Sequence, residues 1–188
     1  MEEKLRSYPQ QKKDLEILLS QINRENLTLV EIGSYMGESM DIFAQSNKFS
    51  KIFCVDPWTN GYDDGDASSF DCEYAEKHFD KRKNNYDFVE KIKSKSEVAV
   101  LDFEDESIDI VYIDGNHKPE EVKKDILNWY PKIKKDGIIS GHDWFFKDGI
   151  IQNTIIETIG HPDFLCGHPI HGTEGDGSWL KYKSNIKL

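Results

Sequence analysis

Apolar residues recur along the chain in two rhythms, and the alternation between them predicts the order of elements. Short apolar runs ending in glycine or an acid read as buried strands: Leu27–Gly33, Lys51–Asp56, Tyr86–Ile92, Ile108–Asp114, Ile138–Asp143 and Ser178–Tyr182. Between them the spacing turns helical. Leu15, Leu18, Leu19 and Ile22 predict a helix from Pro9 to Asn23. Further helices are expected over Gly37–Gln45, Phe70–Lys83, Pro119–Ile133 and Gly149–Ile159, with a short helix or turn at Ser94–Leu101. Pro119–Ile133 opens on a proline, carries early acids, and puts Val122, Ile126, Trp129 and Ile133 on one face. Asn60–Ser69 is a loop by composition, and Lys135-Asp-Gly137 reads as a turn. Strands alternating with helices imply an α/β fold with a doubly wound, mostly parallel sheet. The segment after Gly160 departs from this rhythm and is expected to add a C-terminal hairpin. The expected division is a helical extension over residues 1–26 and one domain over 27–188.

Composition narrows the class. The chain has 188 residues, one domain's worth, and 37% hydrophobic and 12% aromatic residues are too many for a disordered chain. The longest apolar runs are four residues, against about 20 for a membrane-spanning helix, so no membrane partner is expected. The N-terminal MEEKLRSYPQQKKD has no apolar core and is not read as a secretory signal. A net charge of −11 repels phosphates, which argues against nucleic acid as a partner. Cys54, Cys72 and Cys166 lack CxxC spacing, as free thiols in a reducing, cytoplasmic setting would. Nothing in the pattern specifies an oligomeric state, and a homo-oligomer is compatible with it.

Chemistry is expected at the carboxyl ends of the strands, where open parallel sheets bind ligands. Those ends carry Glu31-Ile-Gly33-Ser-Tyr-Met-Gly37, Asp56-Pro-Trp58, Asp114-Gly-Asn-His117 and His142-Asp143. Gly33 and Gly37 are four residues apart with Tyr35-Met36 between them, so the turn is a poor phosphate cradle. It suits a ligand that needs close backbone approach without phosphates, or it is a plain strand–helix turn. Asp56, 25 residues after Glu31, can accept ribose hydroxyls of NAD or S-adenosylmethionine (SAM), or cap the turn before Pro57. His117 is a proton acceptor or a backbone-bonded residue ahead of the helix at Pro119; His142-Asp143 is a ligand pair or a turn whose acid meets a lysine. The acidic loop with Asp63, Asp64 and Asp66 lacks calcium-loop spacing and is expected to be solvated. His161, His168 and His171 have no diagnostic spacing. Ser34, Ser39 and Ser140 sit in no GxSxG elbow.

Taken in order and spacing, VEIGSYMGES, VDPW, IDIVYIDGNH and DGIISGHDW resemble the class I SAM-dependent methyltransferases. More narrowly, they resemble the small metal-dependent O-methyltransferase branch that includes macrolide-sugar methyltransferases and cephalosporin-hydroxylase-like proteins. The resemblance covers Leu27 to Trp144. It implies a seven-stranded Rossmann-like sheet with a reversed final hairpin. It implies that Glu31, Gly33 and Gly37, with Ser34 and Tyr35 in the same turn, line the methionine part of SAM. Asp56 would hold the ribose, and Trp58 or Ser96 would lie near adenine. Asp114 would bind Mg²⁺ and His117 act as base, with His142 and Asp143 completing the metal site. The sugar enzymes have an acid where His142 stands, and an imidazole there suits Mn²⁺, Fe²⁺ or Zn²⁺ better. The expected activity is O-methylation of a small hydroxylated molecule such as a sugar, with SAM and a divalent metal, Mg²⁺ or Mn²⁺, as cofactors. The rival classes are a non-catalytic SAM- or sugar-binding module and a metal-dependent hydrolase. Gly115-Asn-His117 resembles the GNH stretch of calcineurin-like phosphoesterases, but their upstream DxH and GDxxD elements are missing. An NAD-dependent oxidoreductase is disfavoured by the broken glycine fingerprint.

Overall fold

Seven strands form one sheet in the order β3-β2-β1-β4-β5-β7-β6. The computed structural model describes residues 9–63, 70–146, 149–167 and 177–188. The strands are β1 (Leu27–Ile32), β2 (Phe49–Asp56), β3 (Val89–Lys93), β4 (Ile108–Ile113), β5 (Ile133–Gly141), β6 (Phe164–Gly167) and β7 (Gly177–Tyr182). The helices are α1 (Pro9–Ser20), α2 (Glu38–Gln45), α3 (Cys72–Lys83), α4 (Ser96–Ala99), α5 (Pro119–Trp129) and α6 (Ile150–Ile159). The first five strands pair in parallel, and β7 runs antiparallel to both β5 and β6. This is the Rossmann-like sheet with a C-terminal antiparallel hairpin that the strand pattern and the resemblance imply.

Two cores follow from the period-two alternation of side chains along the strands. Leu29, Ile52, Ile110 and Tyr112 pack with Leu15 and Leu18 of α1, Met40 and Phe43 of α2 and Phe79 of α3. Val30, Ile32, Val111, Ile113 and Ile139 pack with Val122, Ile126 and Trp129 of α5 and Ile151 and Ile155 of α6. The central strands β1 and β4 therefore have no solvent-facing side, and their near-continuous apolar runs are explained. Helix α1 lies against β6 and β7, and the Cys166 thiol donates to the Asp14 carbonyl at 3.2 Å. Among the described residues no helix is long and apolar enough to cross a membrane.

Several elements differ from the sequence expectation: β3 spans Val89–Lys93 rather than Tyr86–Ile92, α3 starts at Cys72 rather than Phe70, and α1, α5 and β5 differ as follows. Helix α1 ends at Ser20 rather than Asn23, and a turn follows it. Helix α5 ends at Trp129 rather than Ile133, because Pro131 cannot continue the α-helical ladder; a 3₁₀ turn over Tyr130–Lys132 follows. Lys135-Asp-Gly137 is not a turn but part of β5. Ile108 of β4 pairs with Ile133 and Ile110 pairs with Ile138, so the extra β5 residues bulge there. A Cβ on Gly137 would lie 2.5 Å from the Ile133 side chain and 2.8 Å from the Asp109 carbonyl, which is why the bulge carries glycine.

Candidate active site

Strand β1 is flanked by β2 on one side and by β4 on the other, so the chain reverses its direction of travel across the sheet there. A cleft opens at such a switch point. Its first wall is the β1–α2 turn. Gly33 has φ +86°, and a Cβ on it would stand 1.9 Å from the Asp114 carbonyl oxygen and 2.6 Å from Gly115 Cα. Glycine is what lets the ends of β1 and β4 close on each other. Gly37 has φ +77°, a backbone that starts α2 from the left-handed region.

Glu31 lies fully buried beneath this turn and accepts hydrogen bonds from the Ser34 and Ser39 hydroxyls. Burial pushes its carboxyl up from 4.5 to about 7; the two serines hold it down, and the charge on Asp114 raises it further. A raised acid favours the folded state while protonated. Stability is therefore complete below pH ~4.5 and falls as pH climbs through about 7. Glu31→Gln, which cannot titrate, should remove that fall. Relative to the parent it should gain about 3 kcal/mol between pH 4.5 and 8 in denaturant unfolding. Parallel pH curves for the two proteins would refute this.

Asp56 ends β2 facing the same turn. Its two oxygens accept the backbone N–H groups of Tyr35 (2.9 Å) and Trp58 (2.7 Å). Burial raises its carboxyl and these backbone bonds oppose the rise. The Ser34 backbone N–H bonds the same carboxylate, whose two oxygens offer about four lone-pair sites, so room remains for one further donor. Trp58 is a core residue here. Its indole N–H donates to the Tyr35 carbonyl, and its ring packs on Phe79 beneath the Lys91 ammonium. The Ser96 hydroxyl is likewise engaged, donating to Asp125 and accepting from the Trp129 indole at 2.8 Å. Both residues have their side-chain donors already committed within the fold.

The second wall is built by the ends of β4 and β5. Asp114 follows β4 directly, and its N–H donates to the Ile32 carbonyl at 2.8 Å. His142 N–H donates to the Ile113 carbonyl at 3.0 Å, which sets the β5 end beside it. Asp143 has φ 59°, a left-handed backbone that redirects its carboxylate toward His117. His117 Nε2 lies 2.9 Å from Asp143 Oδ2, and His117 Nδ1 lies 2.9 Å from Asp63 Oδ2. His142 Nδ1 stands 3.3 Å from Asp143 Oδ1 and 3.6 Å from Asp114 Oδ1.

Carboxylates have no proton to give, so both nitrogens of His117 donate. Burial pulls its pKa down, but the Asp143 and Asp63 bonds and the Asp143 and Asp114 charges win and raise it to about 9. Burial would raise Asp143, yet the charges and bonds of His142 and His117 carry it far below the carboxylate range. Asp114 goes the other way: burial raises it, His142 counters, and the Asp143 charge adds to the rise. A donor atom from each of Asp114, His117 and Asp143 falls within 4.8 Å of the others. That donor set, two carboxylates and an imidazole, is chemically fit for a divalent cation. The convergent trio thus contains His117, where the resemblance implied His142. Behind it a small pocket is floored by Val122, Ile151, Ile155 and Trp179.

Asp63 overturns an expectation. The sequence places it in a solvated acidic loop, but it is only 6% exposed and binds His117 twice, through the ring and through the backbone N–H at 2.9 Å. Asn116 Nδ2 adds a bond to the Tyr62 carbonyl. A pair so distant in sequence leaves no local spacing to read. Asp64, Asp66, His168 and His171 lie outside the described residues. The His161 carbonyl accepts from Lys181, away from this cluster.

Several known proteins are similar to this chain in sequence or in fold. An uncharacterized protein of Sinorhizobium fredii is 28% identical over 119 residues, covering 61% of this chain and 13% of that protein. An uncharacterized protein of Acanthamoeba polyphaga mimivirus is 28% identical over 134 residues, covering 69% and 57%. The chain therefore spans well under two-thirds of either relative. Among solved structures, the 1,6-didemethyltoxoflavin-N1-methyltransferase of Burkholderia thailandensis was determined with 1,6-didemethyltoxoflavin and S-adenosylhomocysteine bound. It superposes with a TM-score of 0.66 at 10% identity over 93% of this chain and 78% of that one. An rRNA methylase of Streptococcus thermophilus gives 0.62 at 12% identity over 95% and 98%. Spermidine synthase of Thermotoga maritima gives 0.61 at 14% over 86% and 57%. These likenesses show a common fold. Residues 30–144, more than half of the chain, match the family model described as a methyltransferase domain, and the protein belongs to that family.

Proposed function

We propose that the protein is a SAM-dependent methyltransferase that methylates a hydroxyl of a small molecule such as a sugar, with a divalent metal, Mg²⁺ or Mn²⁺, assisting. The observation that carries this is the convergence of Asp114, His117 and Asp143 at the strand ends, against the close-packed Gly33 turn. Gly33, Ser34, Tyr35 and Gly37 would take the methionine part of SAM, with Glu31 beneath them, and Asp56 the ribose. Trp58 and Ser96 would shape the adenine end by packing. SAM supplies an electrophilic methyl, so the protein's part is to position an acceptor oxygen and take its proton. Asp114 and Asp143 would hold the cation, whose Lewis acidity lowers the pKa of a bound hydroxyl.

His117 is the proton acceptor in this reading. Nδ1 is committed to Asp63, which leaves Nε2 for the acceptor's proton. In the metal-free protein Nε2 carries a proton of its own because Asp143 faces it. A cation held by Asp114 and Asp143 would offset their charge and leave Nε2 available to take a proton, so acids and imidazole would act as one unit. His142 lies against both carboxylates and fixes their orientation. Such positioning is worth several kcal/mol of barrier, up to about 7–11 in well-oriented systems.

The test is calorimetric titration with S-adenosylhomocysteine, with NAD as control. Micromolar binding of the first and none of the second is expected. Hydroxylated acceptors, with and without Mg²⁺ or Mn²⁺, would then be screened for methyl transfer. Failure to bind S-adenosylhomocysteine in either metal condition would sink the proposal.

A further inference from the structure

Tyr62-Asp63 of the β2–α3 connection is fastened to the β4 end, and the fastening grips the residue that the proposed chemistry needs. Asp63 Oδ2 accepts both the backbone N–H of His117 and its ring Nδ1–H, each at 2.9 Å. One residue away, Asn116 Nδ2 donates to the Tyr62 carbonyl at 2.9 Å. These three bonds clamp Tyr62-Asp63 onto Asn116-His117 across 54 positions of sequence. The His117 ring is also packed against Phe146, with centroids 4.8 Å apart and planes inclined at 31°. Stacking holds the plane of the ring but leaves its rotation within that plane open. The Asp63 bond on Nδ1, opposite the Asp143 contact on Nε2, orients it, because a ring flipped about χ2 would take Nδ1–H away from the Asp63 carboxylate.

We infer that Asp63 is a positioning residue for His117, gripping its Nδ1 side and backbone and aiming Nε2 at Asp114 and Asp143. A carboxylate behind an imidazole has this effect whether the far nitrogen meets a proton or a cation, since it selects the tautomer and raises the basicity of that nitrogen. The inference rests on the reading of His117 as proton acceptor. Its geometric half, that Asp63 sets the ring, stands on the hydrogen bonds alone.

Asp63→Ala and Asp63→Asn separate the two halves. Long-range ¹H–¹⁵N correlation spectra of the imidazoles, recorded on the metal-free protein, should show a hydrogen-bonded Nδ1 proton on His117 in the parent. Asp63→Ala should lose that signal. Asp63→Asn, which keeps an oxygen acceptor without the charge, should retain it at a shifted position. In methyl transfer Asp63→Ala should lower kcat by about 10²-fold with the KM for SAM within about threefold, and Asp63→Asn should recover part of the loss. S-adenosylhomocysteine affinity should change by less than about threefold in both, because the positioning acts away from the cofactor turn. An unaltered His117 signal in Asp63→Ala, or a kcat within twofold of the parent, overturns the inference while leaving the proposed function intact. If Asp63→Ala fails to fold, Asp63→Asn decides alone: an Nδ1 proton unmoved from its parent position overturns the inference. A parent protein that binds no S-adenosylhomocysteine removes the proposed function, and the ring spectra still judge the role of Asp63.

Discussion

Gly33→Ala is expected to be the most damaging single-methyl change in the protein. The added Cβ would meet the Asp114 carbonyl oxygen at 1.9 Å, and both partners are backbone in neighbouring strands, so no side chain can swing aside. At φ +86° alanine also carries the left-handed penalty, about 1–2 kcal/mol. Forcing β1 and β4 apart adds an overpacking cost of about 1–3 kcal/mol. A total of about 2–5 kcal/mol lowers the melting temperature of a chain this size by roughly 5–15 °C. The same strain displaces Asp114 from the Ile32 carbonyl that anchors it, so S-adenosylhomocysteine binding and metal binding should fail together. Gly61→Ala is the control: its φ is also positive, at +74°, but an added Cβ there meets nothing within 4 Å. Calorimetric melting of both variants checks this. Equal, small losses would mean that the close approach of the two strand ends is not what Gly33 provides.

Asp143→Asn is expected to abolish turnover with little loss of fold. Asparagine tolerates the left-handed backbone that Asp143 adopts at φ 59°, so the chain path survives. What changes is charge. Both His117 and His142 lose the carboxylate they face, and the cation site loses one of its two acids. Methyl transfer should fall by at least ~10²-fold, the usual cost of removing an electrostatic partner from a reacting site. Mn²⁺ binding should weaken by more than ~10-fold, and S-adenosylhomocysteine should bind within about threefold of the parent. Metal titration followed by Mn²⁺ electron paramagnetic resonance, beside the assay, measures both effects. Full activity in this variant would reduce Asp143 to a structural turn residue.

Much of this architecture is written in local patterns. Strands buried on both faces, such as Ile108–Ile113, announce themselves as unbroken apolar runs, and Pro119 with Val122, Ile126 and Trp129 marks its helix without ambiguity. The acids at four strand ends could be found because a parallel sheet always offers its carboxyl ends to ligands. What local pattern could not disclose was pairing across the sheet. Gly137 looks like a turn in sequence, yet it sits within β5 because the β4 partner has three fewer residues to match. Asp63 looks solvated among its acidic neighbours, yet it is buried where His117 meets it from a distant strand end. The entry of His117 into the convergent group, beside the His142 that the resemblance implied, has the same origin. His117 lies three residues beyond Asp114, but its ring is turned by Asp63 and Phe146, which sequence spacing does not encode.

The placement of β7 bears on when the protein becomes competent. This strand is close to last in the chain, yet it lies between β5 and β6, and Ser140 donates to the Trp179 carbonyl across the β5–β7 seam. Trp179 also closes over Gly141 and floors the pocket behind Asp114 and His117. As the polypeptide leaves the ribosome, β1 through β5 can pair in turn, while β6 has no neighbour until its successor arrives. The nascent chain therefore carries Asp114, His117, His142 and Asp143 for some time without the wall that gathers them, and assembly of the reactive cluster coincides with insertion of β7.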